Sequence, residues 1–208
     1  MIKIDYIIEK LQELYPEPKI LLRFSTVFQL AVATILSAQC TDKQVNKITP
    51  ALFQQFPDSE QLAKANIEEI ENLIRSTGFY HNKSKNILNL AKKIHSEYNG
   101  IVPDTIAELV KLPGIGRKSA NVIAGTWYKK PSVVVDTHFR RVSQRLGLTK
   151  QNNPEKIEYE IKNMVPSLKQ TRFSFLLNYH GRYLCKARKP LCQECPLKGI
   201  CTFYCNLV

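Results

Sequence analysis

Helical spacing of apolar residues runs through most of this sequence of 208 residues, and no other feature limits the fold as strongly. Near the N-terminus, apolar residues recur every three or four positions from Ile4 to Tyr15, just before Pro16. The segment 25–37, STVFQLAVATILS, is apolar on nearly all sides, which is typical of a helix surrounded by others. Only SVVV, residues 132–135, resembles a strand, and a single short strand does not make a sheet. The sequence therefore predicts an all-α fold.

Prolines, glycines and capping residues mark where the predicted helices begin and end. Asp42 is predicted to cap one helix, and Pro50 is predicted to divide that helix from the ALFQQF segment. Gly78 is predicted to end a helix around 67–74 in a left-handed conformation. Helices in the second half are predicted near 104–111, 116–128, 137–146, 154–164 and 170–184.

The charge distribution indicates the class of partner, and the apolar content indicates the compartment. Residues 1–104 hold 12 Lys and Arg against 12 Asp and Glu, whereas residues 105–208 hold 18 against 6, which accounts for the net charge of +12. This asymmetry favours a polyanionic partner, above all nucleic acid, over a merely soluble basic protein. The chain has no run of eighteen apolar residues, and its N-terminal helix carries acidic residues. We therefore expect a cytoplasmic protein, without a membrane span or secretory signal.

The string LPGIGRKSANVIAG, residues 112–125, predicts a tight hairpin between two helices at about 105–128. Gly114 and Gly116 are predicted to adopt backbone angles that a side chain would forbid. A glycine turn that opens a helix presents N–H groups at the positive end of the helix dipole, where a phosphate binds. This is the helix-hairpin-helix pattern, which holds a DNA backbone phosphate without reading sequence. Gly-x-Gly also occurs in ordinary helix connections, so that alternative stays open here.

Two residues near this hairpin and beyond it are candidates for chemistry. Lys118 stands at the start of a predicted helix, where the dipole and partial burial would favour its free amine, the form that a nucleophile needs. A lysine that only contacts phosphate is the alternative. Asp136, in VVVDTHFRRV, is either a helix N-cap or a carboxylate that faces Lys118, and His138 either assists it or is structural. Three arginines extend this basic surface: Arg140, Arg141 and Arg145.

Four of the six cysteines crowd into CKARKPLCQECPLKGIC with the spacing C-x6-C-x2-C-x5-C: Cys185, Cys192, Cys195 and Cys201. In an intracellular chain this crowding indicates a metal site rather than disulfides. Four thiolates suit zinc or a four-iron cluster, and the uneven spacing favours [4Fe–4S]. Between the first two ligands, Lys186, Arg188 and Lys189 would form a basic finger against DNA. Cys40 and Cys205 lie outside the set.

Together these motifs resemble the endonuclease III family of base-excision DNA glycosylases. The resemblance is carried, in family order, by FQLAVATILSAQCTDKQVNK, GFYHNKSKNI, LPGIGRKSANVIAG, VDTHFRRV and the four-cysteine string. It implies two helical domains that flank a DNA cleft. Residues 22–132 would form a six-helix barrel domain with the helix-hairpin-helix. Residues 1–21 and 133–208 would form a discontinuous domain that carries the cluster.

The resemblance also implies roles for individual residues. Lys118 would be the catalytic lysine, which attacks the sugar C1′ of a damaged nucleotide, expels the base and leaves a Schiff base for β-elimination. Asp136 would be the catalytic aspartate. Gln39 would fill the space that the flipped base vacates, unless it is a buried amide, and Phe79 would wedge the opposite strand. Asp42 would lie near the base pocket.

The remaining expectations concern DNA contacts and partners. The implied substrate is an oxidised pyrimidine or an abasic site in double-stranded DNA, bound by a monomer. A monofunctional adenine glycosylase, a non-catalytic DNA-binding module and a zinc-binding structural protein are the alternatives. The residues expected to contact DNA, besides Gln39 and Phe79, are Leu112, Gly114, Gly116, Arg117, His138, Lys186, Arg188 and Lys189.

Overall fold

The computed structural model describes residues 4–206, and every regular element among them is helical. This confirms the all-α prediction, and the SVVV segment at 132–135 is irregular and buried. The α-helices in chain order are α1 (Ile4–Leu14), α2 (Val27–Leu36), α3 (Asp42–Gln55), α4 (Ser59–Ala63), α5 (Ile67–Ile74), α6 (Tyr80–Glu97), α7 (Ile106–Leu109), α8 (Arg117–Thr126), α9 (Thr137–Arg145), α10 (Pro154–Met164), α11 (Gln170–Tyr183) and α12 (Thr202–Cys205). Short 3₁₀ turns lie at Arg75–Thr77, Ser167–Lys169, Cys192–Glu194 and Lys198–Ile200.

The chain divides into two compact units. The continuous unit is Leu21–Tyr128, and the split unit joins the chain up to Ile20 to the chain from Lys129 onward. The domain boundaries expected from the sequence, 22 and 132, lie close to these limits, and the assignment of a barrel domain stays a prediction. No helix within residues 4–206 is both long enough and apolar enough to cross a membrane.

Helix α2 lies in the core of the continuous unit. Eight of its ten residues are buried, as the apolar sequence of this segment predicts. Thr26 caps its N-terminus by accepting a hydrogen bond from the Gln29 N–H. Helices α3, α6 and α8 pack against α2, and α4 and α5 pack against α6. The α2 core thus anchors both the hairpin helix α8 and the start of α6.

Helix α3 differs from its prediction at Pro50. The helix runs through this proline to Gln55 instead of dividing there. Proline removes one helical N–H donor and normally kinks or ends a helix. Here Val45, Thr49 and Leu52 are buried on one face of α3, and packing of that face keeps the helix continuous.

The start of α3 also differs from its prediction. Thr41, not Asp42, is the N-cap, because the Thr41 hydroxyl accepts a hydrogen bond from the Gln44 N–H at 3.2 Å. Asp42 is instead the first helical residue, where its negative charge interacts favourably with the helix dipole. Gly78 has the predicted positive φ of +70°, but it follows the 3₁₀ turn rather than the α-helix directly.

The split unit has its own apolar core, built from four helices. Fully buried side chains come from α1 (Ile7, Leu11), α9 (Phe139), α10 (Ile157) and α11 (Phe173). Helix α11 packs against both α1 and α9. This core holds the start of α9, and with it the candidate carboxylate Asp136.

Gly181 permits the close crossing of α9 and α11, and its replacement tests that packing. A Cβ atom at this position would lie 2.9 Å from His138 Cβ and 3.0 Å from a Val142 methyl group. We expect Gly181→Ala to lower the free energy of unfolding by about 1–3 kcal/mol, because the core is overpacked. Gly199→Ala is the matched control, since among the described residues no atom beyond its chain neighbours would lie within 4 Å of a Cβ there. Chemical denaturation of both variants checks this, and equal stability of the two would contradict it.

Candidate functional site

The predicted hairpin is formed by α7, the turn 110–116 and α8. Leu109 and Leu112 are buried on one side and Val122 and Ile123 on the other, and α7 packs against α8. Helix α7 is short, and Thr105 caps it by accepting a hydrogen bond from the Glu108 N–H. Apolar contacts thus fix the turn between the two helices.

Glycine is favoured at the two glycine positions of the hairpin turn by different structural constraints. Gly114 has a φ of +77°, and a Cβ atom there would lie 2.9 Å from Asn86 Cβ and 3.0 Å from Ile35 Cδ1. Gly116 has a φ of −84°, which any residue adopts, so the prediction of a special backbone at this position is wrong. Apart from its own stretch of backbone, no atom of residues 4–206 would lie within 4 Å of a Cβ at Gly116. The missing side chain at Gly116 therefore keeps the approach to α8 open.

The N-terminus of α8 has the properties of an anion site. Gly116 is its N-cap and provides no side-chain hydrogen bond. The first helical hydrogen bond runs from the Ala120 N–H to the Gly116 carbonyl at 2.9 Å, so the N–H groups of the first turn precede it. Together with the helix dipole, such N–H groups attract a phosphate.

Lys118 is the second residue of α8, and its side chain is exposed. The expectation of partial burial is therefore wrong. The amine stands open to solvent and to a ligand that approaches the helix N-terminus.

Asp136 is the N-cap of α9, as one of the two sequence interpretations predicts. Its Oδ1 accepts a hydrogen bond from the Phe139 N–H at 2.8 Å, and the residue is half-buried. Its Oδ2 accepts a second hydrogen bond from the side-chain amide of Asn178 on α11. These two bonds fix the orientation of the carboxylate. Lys118 and Asp136 belong to different units, and their pairing stays a prediction.

Asn178 was not identified from the sequence. The available signal is a polar residue within the apolar run FSFLLNY of α11. Such a residue on a buried helix face usually has a specific hydrogen-bond partner.

Gln39 and Phe79 are both exposed, and both have left-handed backbones. Their φ angles are +51° and +50°, and 64% of Phe79 is accessible to solvent. The alternative of a buried amide at Gln39 is therefore wrong. A left-handed conformation costs a residue with a side chain roughly 1–2 kcal/mol. Strain of this kind at exposed positions is typical of functional sites.

The basic residues of α9 do not all form an open surface. Arg141 donates to the carbonyls of Gly181 and Cys185, and it also lies 3.2 Å from His138 Nδ1. Arg145 donates to the carbonyls of Lys186 and Ala187. The prediction that Arg141 and Arg145 extend the basic surface is therefore wrong, because their guanidinium groups hold the chain around 181–187. Half-buried His138 belongs to the same packing.

The three cations between the first two cysteines are exposed: Lys186, Arg188 and Lys189. Arg145 anchors the backbone at the start of this segment, and the Leu191 N–H donates to the Leu184 carbonyl at 3.2 Å at its end. An exposed basic segment with fixed ends suits contact with a DNA backbone.

Four cysteine thiols line one cavity of the split unit, and they are those of the C-x6-C-x2-C-x5-C string: Cys185, Cys192, Cys195 and Cys201. Burial, together with the other three thiols nearby, raises the pKa of the Cys195 thiol to about 11. Four thiolates in such a place need positive charge for stability. Among residues 4–206, no three His, Cys, Asp or Glu side chains lie close enough together for a single metal ion. Four thiols that line one cavity are the donor set that a four-iron cluster takes.

Two further side chains contact the cysteine sulfurs. Arg145 Nη1 donates to Cys185 Sγ at 3.3 Å, and His180 Nε2 lies 3.5 Å from Cys195 Sγ. Burial lowers the pKa of His180 to about 4, so its imidazole is neutral at pH 7. Hydrogen bonds of this kind orient ligands that hold a metal centre.

Two family models match separate regions of the chain. Residues 32–167 match the family model described as HhH-GPD superfamily base excision DNA repair protein. Residues 185–201 match the model described as the iron–sulfur binding domain of endonuclease III. The second match confirms the prediction of an iron–sulfur cluster at the four cysteines.

Individual proteins are similar over almost the whole chain. Endonuclease III of Synechocystis sp. is 51% identical over 92% of this chain and 88% of its own length. Endonuclease III of Bacillus subtilis is 41% identical over 96% of this chain and 91% of its own length. A solved structure of a trapped endonuclease III–DNA covalent intermediate is 36% identical, with a TM-score of 0.93 over 100% of this chain and 99% of the other.

Proposed function

Since the chain belongs to the endonuclease III family of HhH-GPD base-excision repair proteins, we propose that this DNA glycosylase removes oxidised pyrimidines and cleaves the strand through a Schiff base on Lys118. The observation that carries this proposal is the exposed amine of Lys118 in the first turn of α8, beside the open N-terminus at Gly116. Its proposed place of action is nucleoid DNA in the cytoplasm, on which it acts as a monomer.

Binding of a DNA phosphate at the hairpin would bring the neighbouring sugar to Lys118. The neutral amine attacks C1′, the glycosidic bond breaks, and the base leaves with the bonding electrons and takes up a proton. As the sugar ring opens, one proton passes from the bound nitrogen to the departing ring oxygen, and a protonated imine forms between Nζ and C1′. Removal of a proton from C2′ then expels the 3′ phosphate, and water releases the lysine.

Asp136 acts as the carboxylate of this reaction. Its negative charge stabilises the positive charge that develops on the sugar as the base departs, or it accepts a proton from the amine. The hydrogen bonds from the Phe139 N–H and the Asn178 amide hold it in one orientation. Preorganisation of this kind lowers the cost of reaching the transition state.

The damaged base reaches Lys118 only after it has left the helical stack. Gln39 takes the space that the base vacates, and Phe79 wedges against the opposite strand. Both side chains are exposed on short segments with left-handed backbones, which supports their entry into a bound duplex. Asp42 would border the base pocket from the first turn of α3.

When bound, the [4Fe–4S] cluster cross-links the four cysteines, and so supplies structure rather than reaction chemistry. Its cysteines fix the segment that carries Lys186, Arg188 and Lys189 for contact with the DNA backbone. No step of the proposed reaction requires electron transfer.

Cys195→Ser tests the cluster and its effect on binding. We expect the iron content to fall from about four atoms per chain to almost none, with loss of visible absorbance, because one of four ligands is removed. Affinity for duplex DNA should fall about tenfold as the basic segment loses its anchor. Cys205→Ser, at an exposed cysteine outside the cavity, should retain iron and affinity. A colourless, iron-free, zinc-replete wild-type protein from anaerobic purification would contradict the cluster assignment.

The substrate class is tested with duplexes that each contain one defined lesion. We expect base release and strand cleavage at thymine glycol and 5-hydroxycytosine, with β-elimination ends. A duplex with 8-oxoguanine is the comparison, on which the rate should be much lower. Release of adenine opposite 8-oxoguanine, without strand cleavage, would instead support a monofunctional adenine glycosylase.

A further inference from the structure

Lys83 is a buried lysine for which the proposed reaction has no use. It lies on the first turns of α6, and only 4% of its surface is exposed. Its Nζ donates to the Leu36 carbonyl and to the Thr77 carbonyl, each at 2.9 Å. Burial lowers the pKa of Lys83, partly offset by the nearby Cys40 thiol. An amine in such a place is costly to fold, because both of these partners are neutral carbonyls.

The two carbonyls lie just before the two exposed segments, which carry Gln39 and Phe79. Leu36 is the last residue of α2, three positions before Gln39. Thr77 ends the 3₁₀ turn Arg75–Thr77, two positions before Phe79. The last carbonyls of a helix lack helical partners, and a lysine that binds them fixes the chain that follows. The Lys83 side chain therefore links the end of α2, which leads to Gln39, to the 3₁₀ turn that leads to Phe79.

Other contacts hold each segment locally, and Gln44 of α3 contacts both segments, because its backbone N–H donates to the Thr41 hydroxyl. The Thr77 hydroxyl donates to the Ile74 carbonyl within its own turn at 2.8 Å. Gln44 of α3 donates to the Ser76 hydroxyl at 2.6 Å. The Ser37 hydroxyl donates to the Thr34 carbonyl at the end of α2. Among these contacts, the Lys83 amine is the group that bonds to the carbonyls of both Leu36 and Thr77, the residues that precede the two segments' exposed positions.

We infer that Lys83 is a positioning residue, which sets the separation between Gln39 and Phe79 so that both enter a bound duplex at the same lesion. This inference rests on the proposed function of those two residues. Lys83 itself touches neither substrate nor DNA in this account, since it is buried beneath the two segments. Its replacement should therefore impair base flipping more than binding or imine formation.

The first test measures, without DNA, whether Lys83 holds the segments 37–41 and 76–80 in place. Lys83→Met fills the same space without a donor, and Lys85→Met removes an equal charge from an exposed position two residues along the same helix. Hydrogen–deuterium exchange of the holoenzyme should become about tenfold faster at 37–41 and at 76–80 in Lys83→Met. Lys85→Met should match the wild type. Unchanged exchange in either segment of Lys83→Met would overturn the inference.

The second test measures the consequence on DNA. In single-turnover base release from a lesion duplex, Lys83→Met should be about thirtyfold slower, whereas borohydride trapping on a single-stranded abasic oligonucleotide falls by less than about threefold. Fluorescence of 2-aminopurine opposite the lesion should report weaker unstacking. In a background of Gln39→Ala and Phe79→Ala, the same change should cost less than about threefold, because its targets are gone.

An equal loss from Lys83→Met in both backgrounds would overturn the inference and leave a lysine that only stabilises the fold. Should Lys83→Met fail to fold, Lys83→Gln, which keeps one amide donor, carries the same measurements. Failure of the wild-type protein to release any oxidised pyrimidine would contradict the proposed function alone. The exchange measurement would then still test whether Lys83 holds the two segments in place.

Discussion

Lys118→Gln should slow base release and strand cleavage by at least about a thousandfold, because an amide has no nucleophilic amine. Loss of one cation near a phosphate should weaken duplex binding by no more than about tenfold. The side chain is exposed, so the fold should be unaffected. Single-turnover kinetics on a lesion duplex and a binding titration at fixed salt measure the two effects separately.

Lys111→Gln is the matched control for this experiment. Lys111 is an exposed lysine near the start of the hairpin turn, paired with Glu108 rather than placed at the N-terminus of α8. It should retain wild-type turnover. A Lys118→Gln protein that loses affinity but keeps its turnover would support the phosphate-contacting lysine, and with it a different nucleophile.

Asp136→Asn should slow base release by about 10²–10⁴-fold, the range of loss expected when a charged catalytic group is removed. Asparagine caps helices about as well as aspartate, so the free energy of unfolding should change by less than about 1 kcal/mol. The substitution therefore separates the two interpretations of this residue. Rates at saturating enzyme measure the loss in base release, and a thermal melt of the same preparation measures the change in stability.

Asp58→Asn provides the comparison for Asp136→Asn. Asp58 is likewise an N-cap, of α4, and its carboxylate accepts a hydrogen bond from the Gln61 N–H at 2.9 Å. It should keep full activity with a similarly small change in stability. Full activity in Asp136→Asn as well would assign Asp136 to capping alone.

Local sequence patterns predicted most of the helices, because each depends on neighbours in the chain. The apolar run of α2 predicted its burial, and Asp136 before a helical run predicted its cap. Pro50 was misread because its effect depends on the buried face of α3, formed by Val45, Thr49 and Leu52. A local rule for proline does not include this packing.

Contacts between distant parts of the chain explain what the sequence did not predict. Asn178 lies 42 residues from the Asp136 that it orients, and Lys83 lies 47 residues from Leu36. Arg141 and Arg145 looked like surface cations because their carbonyl partners lie 40 or more residues away. The exposure of Lys118 likewise depends on how α8 packs. Only the folded chain brings these groups together.

The most direct test of the account is to find the residue that forms the imine. Wild-type protein is incubated with a duplex that contains one abasic site, borohydride reduces the imine, and mass spectrometry of the digested adduct locates the modified lysine. We expect one modified peptide, with the reduced sugar on Lys118, and no adduct in Lys118→Gln. An adduct on another lysine, or none in the wild type, would contradict the central role of Lys118.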